Sequence, residues 1–271
     1  MSERADVLLY KAGLAPSREK AQALIMAGAV YADGKRVDKA GISLKEDTSF
    51  EIKSDPIPFV SRGGLKLKKA LEVFPISLQG KTACDIGAST GGFTDCMLQN
   101  GASLVYAVDV GYGQLDYKLR NDERVRVMER TNARYMEPSW FQPAPEFASI
   151  DVSFISLKLI LPALYPCLRE EGEVVALIKP QFEAGRSEIG KNGVVRDIAV
   201  HRSVCEKMVA FAAMTGFEVC GLSYSPITGP KGNIEFLLYL KKFDRPGEVS
   251  QDIRIQSVTE DAHAHLKQKD A

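Results

Sequence analysis

Long apolar runs are missing from this 271-residue sequence. None approaches the roughly 20 residues that a membrane-spanning helix needs, so no spanning segment is expected. Paired cysteines are missing too. Cysteines 84, 96, 167, 205 and 220 are odd in number, scattered, and never spaced C-x-x-C. That excludes a disulfide framework and a zinc site read from cysteine spacing. Cys84, Cys167 and Cys220 lie in apolar segments and read as small core residues. No cluster of histidine, cysteine and carboxylate has ligand spacing, so no metal is expected. An excess of either charge is also absent, because 35 basic residues balance 35 acidic ones. A nucleic-acid surface, if present, must come from local clustering. Met1-Ser2-Glu3-Arg4 opens an amphipathic stretch rather than a secretion signal, so a cytoplasmic protein is expected.

What is present suffices for a globular fold, since 45% of the residues are hydrophobic. The length allows a medium domain with a small appendage. Residues 3–13 read as a short helix with Ala5, Leu8, Leu9 and Ala12 on one face. Ser17 can cap a second helix that stops at Gly28. Asp33-Gly34 signals a hairpin, and Thr48 to Ile52 alternates as a strand. Two helices and a small sheet within residues 1–53 make a unit of their own. Residues 54–61, with Pro56 and Pro58, read as a linker, and the following segment 62–69 carries four basic residues and no acid.

From residue 82 strands and helices alternate. Strands are expected at 82–87, 104–110, 126–130, 146–151, 173–179, 218–225 and 234–242, the pattern of a doubly wound α/β domain. Only Pro226 to Asn233 separates the last two strands, too little for a crossover helix, so they should pair antiparallel. The domain is bounded at 62–245, and residues 246–271 read as a polar tail. Gly185, Gly190 and Gly193 punctuate 184–197, which reads as a mobile loop with a basic face of Arg186, Lys191 and Arg196.

In open α/β sheets the ligand lies beyond the carboxyl ends of the strands. The first strand ends in Asp85-Ile86-Gly87-Ala88-Ser89-Thr90-Gly91-Gly92-Phe93, a glycine turn entering a helix. It is neither a G-x-G-x-x-G fingerprint nor a phosphate-binding P-loop. Asp109 closes the second strand, where it can accept hydrogen bonds from ribose hydroxyls, and Asn132, after the third, could meet an adenine edge. Asp151 closes the fourth strand and Lys179 the fifth, while Glu235 lies near the start of the reversed seventh. A lysine closing an apolar strand asks for a carboxylate partner, and Asp151 supplies one. Lys66 joins from the helix before the first strand.

The Asp-x-Gly-x-x-x-Gly-Gly-Phe turn resembles motif I of S-adenosylmethionine-dependent methyltransferases. On that resemblance Asp85, Gly87, Ala88, Ser89, Gly91, Gly92, Phe93, Asp109 and Asn132 would hold the cofactor. Lys66, Asp151, Lys179 and Glu235 resemble the Lys-Asp-Lys-Glu tetrad of ribose 2′-O-methyltransferases. Residues 2–53 resemble an S4-type RNA-binding domain, through Arg4, Gly13-Leu14-Ala15, Ser17-Arg18, Leu24-Ile25, Gly28 and Val30. Because residues 1–53 hold nine basic and eight acidic side chains, that reading rests on a local face. Arg4, Arg18, Lys20, Lys35 and Arg36, joined by Arg62, are the candidate RNA contacts. Taken together, with Ser61 to Leu67, Asp151 to Ser156, Lys179 to Glu183 and Gly229 to Glu235, the chain resembles the TlyA family. The resemblance implies a seven-stranded Rossmann-like α/β methyltransferase domain of the FtsJ-like type behind a small α+β S4 domain. It implies 2′-O-methylation of cytidine in ribosomal RNA with S-adenosylmethionine, on ribosomal RNA or a ribosomal subunit, without membrane or metal. The rival expectations are a membrane-active haemolysin and a catalytically inactive RNA-binding protein.

Overall fold

A computed structural model describes residues 2–26, 28–52 and 57–267. The chain divides into two compact units, Met1–Gly63 and Gly64–Ala271. Residues 54–56 of the expected linker lie outside the described residues, as do the last four residues of the expected tail.

The smaller unit begins with a strand, β1 (Ser2–Arg4), where a helix over 3–13 was expected; the helix α1 is confined to Ala5–Lys11. Then come α2 (Arg18–Met26), β2 (Val30–Ala32), β3 (Lys35–Arg36), β4 (Ser43–Lys45) and β5 (Phe50–Ile52). β1 pairs antiparallel with β4, and β2 lies between β3 and β5. The hairpin turns where sequence chemistry puts it, with Asp33 and Gly34 both at positive φ. Ala5, Leu9, Ala15, Ala21, Ile25, Val30, Ala32 and Val37 close a small core between helices and sheet.

The larger unit starts with α3 (Gly64–Val73) and continues β6 (Thr82–Ile86), α4 (Gly92–Gln99), β7 (Leu104–Val108), α5 (Tyr117–Arg120), β8 (Val125–Met128), β9 (Phe147–Ile150) and α6 (Leu161–Leu164). It ends β10 (Glu173–Ile178), α7 (Pro180–Glu183), α8 (Ile198–Met214), β11 (Phe217–Tyr224), β12 (Phe236–Lys242) and α9 (Ile255–Lys267). Seven strands form one sheet in the order β11-β12-β10-β9-β6-β7-β8. β12 runs antiparallel to both β10 and β11, as the short connection before it requires. All residues of β6, β9 and β10 are buried, the pattern of strands covered on both faces. Strand order reverses at β6, which has β9 on one side and β7 on the other, and this opens a crevice at its carboxyl end.

One expectation is corrected here. Of the expected polar tail, residues 246–267 are built into the fold: the chain pairs Val249 with Val219 and then forms α9, whose Ala262 and Leu266 join the main core. The 184–197 segment is a hydrogen-bonded loop. Asn233 accepts from Val195 N at 3.1 Å and donates to Gly193 O at 3.0 Å, so the segment is fastened to the 229–233 turn. The side chain of Lys191 lies outside the described residues. Among the described residues no helix is long and apolar enough to cross a membrane.

Candidate active site

Four strand and helix ends converge on one line of alternating charges. Lys66 comes from the first turn of α3, Asp151 follows β9, Lys179 follows β10, and Glu235 precedes the antiparallel β12. Glu235 Oε2 lies 2.7 Å from Lys66 Nζ, Lys66 Nζ 3.3 Å from Asp151 Oδ2, and Asp151 Oδ1 2.5 Å from Lys179 Nζ. Glu235 is fully buried, and both lysines are only 7% exposed. Charges so placed are held only because each has a partner. Burial works to weaken the Lys66 ammonium, but Asp151 and Glu235 outweigh it and hold its pKa above the ordinary lysine value. Burial likewise favours a neutral Asp151, yet Lys66 and then Lys179 hold its carboxyl below the usual range. Lys66 is thus a fixed cation that anchors Asp151, and Asp151 in turn holds Lys179.

The sequence missed the residues that support this line. Ser153 Oγ accepts from Lys179 Nζ at 3.1 Å. Glu183, on α7, accepts from Ser156 Oγ at 2.6 Å and from Leu157 N at 2.8 Å, and burial raises its pKa. A Cβ on Gly229 would collide with Glu235 Oε1, so glycine is required for the carboxylate to sit there. Phe154, at φ 63° and 91% exposed, stands with its ring 5.1 Å from that of Phe182.

At the β6 turn the nine expected cofactor residues separate into two groups. Gly87 has φ 87°, and a Cβ there would stand 2.6 Å from Asp151 O, so glycine lets the turn press against the end of β9. Ser89 is exposed at φ 49°, and Asp109 Oδ2 accepts its N–H at 2.7 Å. Asp109 Oδ1 accepts from Gly111 N at 2.6 Å. Each carboxylate oxygen has a second lone pair, so Asp109 can still accept a hydroxyl. Asn132 is exposed and caps the next helical turn by accepting from Arg134 N at 3.1 Å.

The others lie under the turn. Ala88, Gly92 and Phe93 are buried and shape it from below. Asp85 is a correction: it is fully buried and contacts no cleft. Its Oδ2 accepts from Thr94 N and Oγ1 at 2.9 and 2.7 Å, and its Oδ1 from Ser149 Oγ at 2.8 Å. Burial pushes its pKa up to about 6. Gly91 is a second correction. A side chain there would collide with Leu119 and come within 2.8 Å of Leu115, so this glycine serves packing rather than the cleft.

In the smaller unit the candidate RNA contacts also divide. Arg4 and Arg18 are not free surface cations, because both clasp the buried Asp6, at 2.9 and 3.2 Å. Their side chains remain 49% and 48% exposed. Lys20 and Lys35 are exposed, Arg36 pairs with Asp38 at 2.8 Å, and Arg62 is half-buried.

Comparison with known proteins follows this geometry. The model of the FtsJ-like methyltransferase family matches residues 59–242, and that of the S4 domain matches residues 3–48. YqxC of Bacillus subtilis is 55% identical over 99% of this chain and 97% of its own length. The 16S/23S rRNA (cytidine-2′-O)-methyltransferase TlyA of Mycobacterium tuberculosis is 43% identical over 88% of this chain and 89% of its own. A solved Streptococcus thermophilus structure that carries the hemolysin name superposes with a TM-score of 0.81 at 54% identity, covering 99% of this chain and 98% of that one.

Proposed function

The chain belongs to the FtsJ-like methyltransferase family, and from that premise we propose that it methylates the 2′-hydroxyl of a cytidine ribose in ribosomal RNA. The observation that carries this reading is the unbroken run Glu235–Lys66–Asp151–Lys179 at the crevice. S-adenosylmethionine, when bound, supplies an electrophilic methyl group on a sulfonium. The turn fits it: Gly87 keeps the backbone close against Asp151, and Asp109 offers carboxylate acceptors suited to a ribose diol. Gly87, Ser89 and Asp109 would hold the cofactor, with Asn132 at the edge of the crevice.

A ribose hydroxyl is a weak nucleophile, so its proton must leave as the new O–C bond forms. Lys179 is the residue placed to take it. Nζ would take the proton from the 2′-oxygen as that oxygen gains the methyl group. Lys66 and Glu235 hold Asp151, and Asp151 orients Lys179. The exposed ring of Phe154 beside this group is a surface on which an unstacked base can rest. Ribosomal RNA as substrate places the enzyme in the cytoplasm, with the S4-type unit contributing phosphate contacts.

Lys179→Ala should keep cofactor binding and lower methylation by roughly two to four orders of magnitude. Lys179→Arg separates two roles. Arginine keeps the charge but does not give up its proton near neutrality. A base predicts that arginine fails as alanine does, whereas an electrostatic role predicts rescue. Mass spectrometry of rRNA incubated with each variant reads the result, and full methylation by Lys179→Ala would remove the residue from the reaction.

A further inference from the structure

Lys179 Nζ has two fixed partners, an ion pair with Asp151 Oδ1 at 2.5 Å and a hydrogen bond to Ser153 Oγ at 3.1 Å. A tetrahedral amine nitrogen has four directions, one of which is its bond to Cε. With a single acceptor pinned, two directions remain open to the lone pair of a neutral amine. With both pinned, only one remains. Asp151 alone therefore leaves the base with a wrong orientation available, and Ser153 removes it.

The loop that carries Ser153 is itself held. Glu183 accepts from Ser156 Oγ at 2.6 Å and from Leu157 N at 2.8 Å, and it sits on α7, the short helix that directly follows Lys179. The serine and the lysine are thus tied to one another through the backbone on both sides as well as by their own hydrogen bond. Phe154, the next residue, is in the left-handed region at φ 63°, a conformation that persists only where its surroundings impose it. Ser153 is also exposed, so its hydroxyl serves no packing.

We propose that Ser153 is a positioning residue for methyl transfer, accepting one N–H of Lys179 so that the amine lone pair faces the ribose hydroxyl. This rests on the reading of Lys179 as the base. Ser153 takes no proton in the step: the 2′-hydroxyl proton goes to the Lys179 lone pair, while the ion pair with Asp151 and the hydrogen bond to Ser153 stay in place throughout.

The test compares Ser153→Ala, Ser153→Thr, Lys179→Ala and the Ser153→Ala/Lys179→Ala double variant in the full chain, with ribosomal RNA and S-adenosylmethionine. Ser153→Ala should lower kcat about tenfold to a hundredfold, the scale of a misaligned reacting group, with the calorimetric Kd for the cofactor unchanged. Ser153→Thr, which keeps the hydroxyl, should recover most of the rate. Added to Lys179→Ala, Ser153→Ala should cause no further loss, because it acts only through the lysine. Wild-type kcat in Ser153→Ala, alongside an inactive Lys179→Ala, overturns this inference and leaves the base reading standing. Equal losses in the threonine and alanine variants, or a weakened cofactor Kd, also overturn it, by showing a structural role. Full activity in Lys179→Ala overturns the base reading and this inference with it.

Discussion

Asp85 lies inside β6, one residue before its end, with no exposed surface and three donors on its two oxygens, from Thr94 and Ser149. Those donors favour the carboxylate, but burial exceeds them and raises its pKa from 3.8 to about 6. The folded state therefore prefers the neutral acid. Its contribution to stability is fully present below the unfolded value near 4 and is lost as pH rises through about 6. Asp85→Asn should expose this. Its amide oxygen can accept from Thr94 and its NH2 can donate to Ser149 Oγ, with no charge to bury at any pH. The variant should match wild type near pH 4 and exceed it by on the order of 1–3 kcal/mol near pH 8. Urea denaturation at the two pH values measures the difference, and a wild type more stable than the variant at pH 8 would show that the three donors fully compensate the buried charge. The role of motif I follows from this: its aspartate fastens the turn to α4 and β9, and Gly87 brings the backbone to the crevice.

α9 is the element whose burial the sequence hid. Thr259, Ala262 and Leu266 are its buried positions, and the partly buried Ile255 and Val258 pack against the same core. Charged and polar residues surround this stripe, so composition alone reads the segment as polar. Long-range partners add to its hold on the unit: His263 Nε2 lies 2.7 Å from His201 Nδ1 of α8, and Glu248 O and Ser250 N bracket Val219 in a short parallel bridge. Removing residues 252–271 should lower the melting temperature by about 5–10 °C, the scale of losing Leu266 and the partly buried Ile253, Ile255 and Val258 from a domain of this size. Calorimetry of the shortened chain checks it, and an unchanged transition would mean that the helix adds nothing to the fold. Elsewhere the elements were legible in proportion to how local their causes are. The seven strands of the large sheet announce themselves as apolar runs, and the reversal of β12 follows from the short connection before it. Asp151, Lys179 and Glu235 were legible because strand ends can be located before any contact is known, and Lys66, on a helix, through the resemblance to the tetrad. Ser153, Glu183 and Gly229 were not, because each owes its role to a side chain that only the folded sheet brings near. β1 escaped for the same reason, being a polar three-residue strand whose partner Ser43–Lys45 lies far along the chain.

The molecule as a whole has no net charge, with 35 basic and 35 acidic residues, so any affinity for RNA phosphates must be local. In the S4-type unit the basic side chains differ in what else they do. Arg4 donates to both oxygens of the buried Asp6, and Arg18 and Gln22 donate to one of them. The Arg4 hydrogen bonds hold that carboxyl well below the usual range, against the effect of burial. Arg4→Ala would therefore weaken the fold by stripping a buried charge of its main partner, and a loss of RNA binding in that variant would be ambiguous. Lys20 and Lys35 are exposed, and Lys35 stands on β3 next to the hairpin turn, where neutralising it disturbs no buried group. Lys35→Ala should leave the melting temperature unchanged and weaken RNA binding by a similar factor for every sequence tested. The slope of log affinity against log salt should fall by a little under one unit, the signature of one phosphate contact removed. Lys20→Ala should do the same, and the double variant should lose the sum of the two slopes. Filter binding across a salt series reads all three. A slope that stays at the wild-type value in both single variants would move the RNA surface away from this face of the small unit, while leaving the methyl-transfer site as it stands.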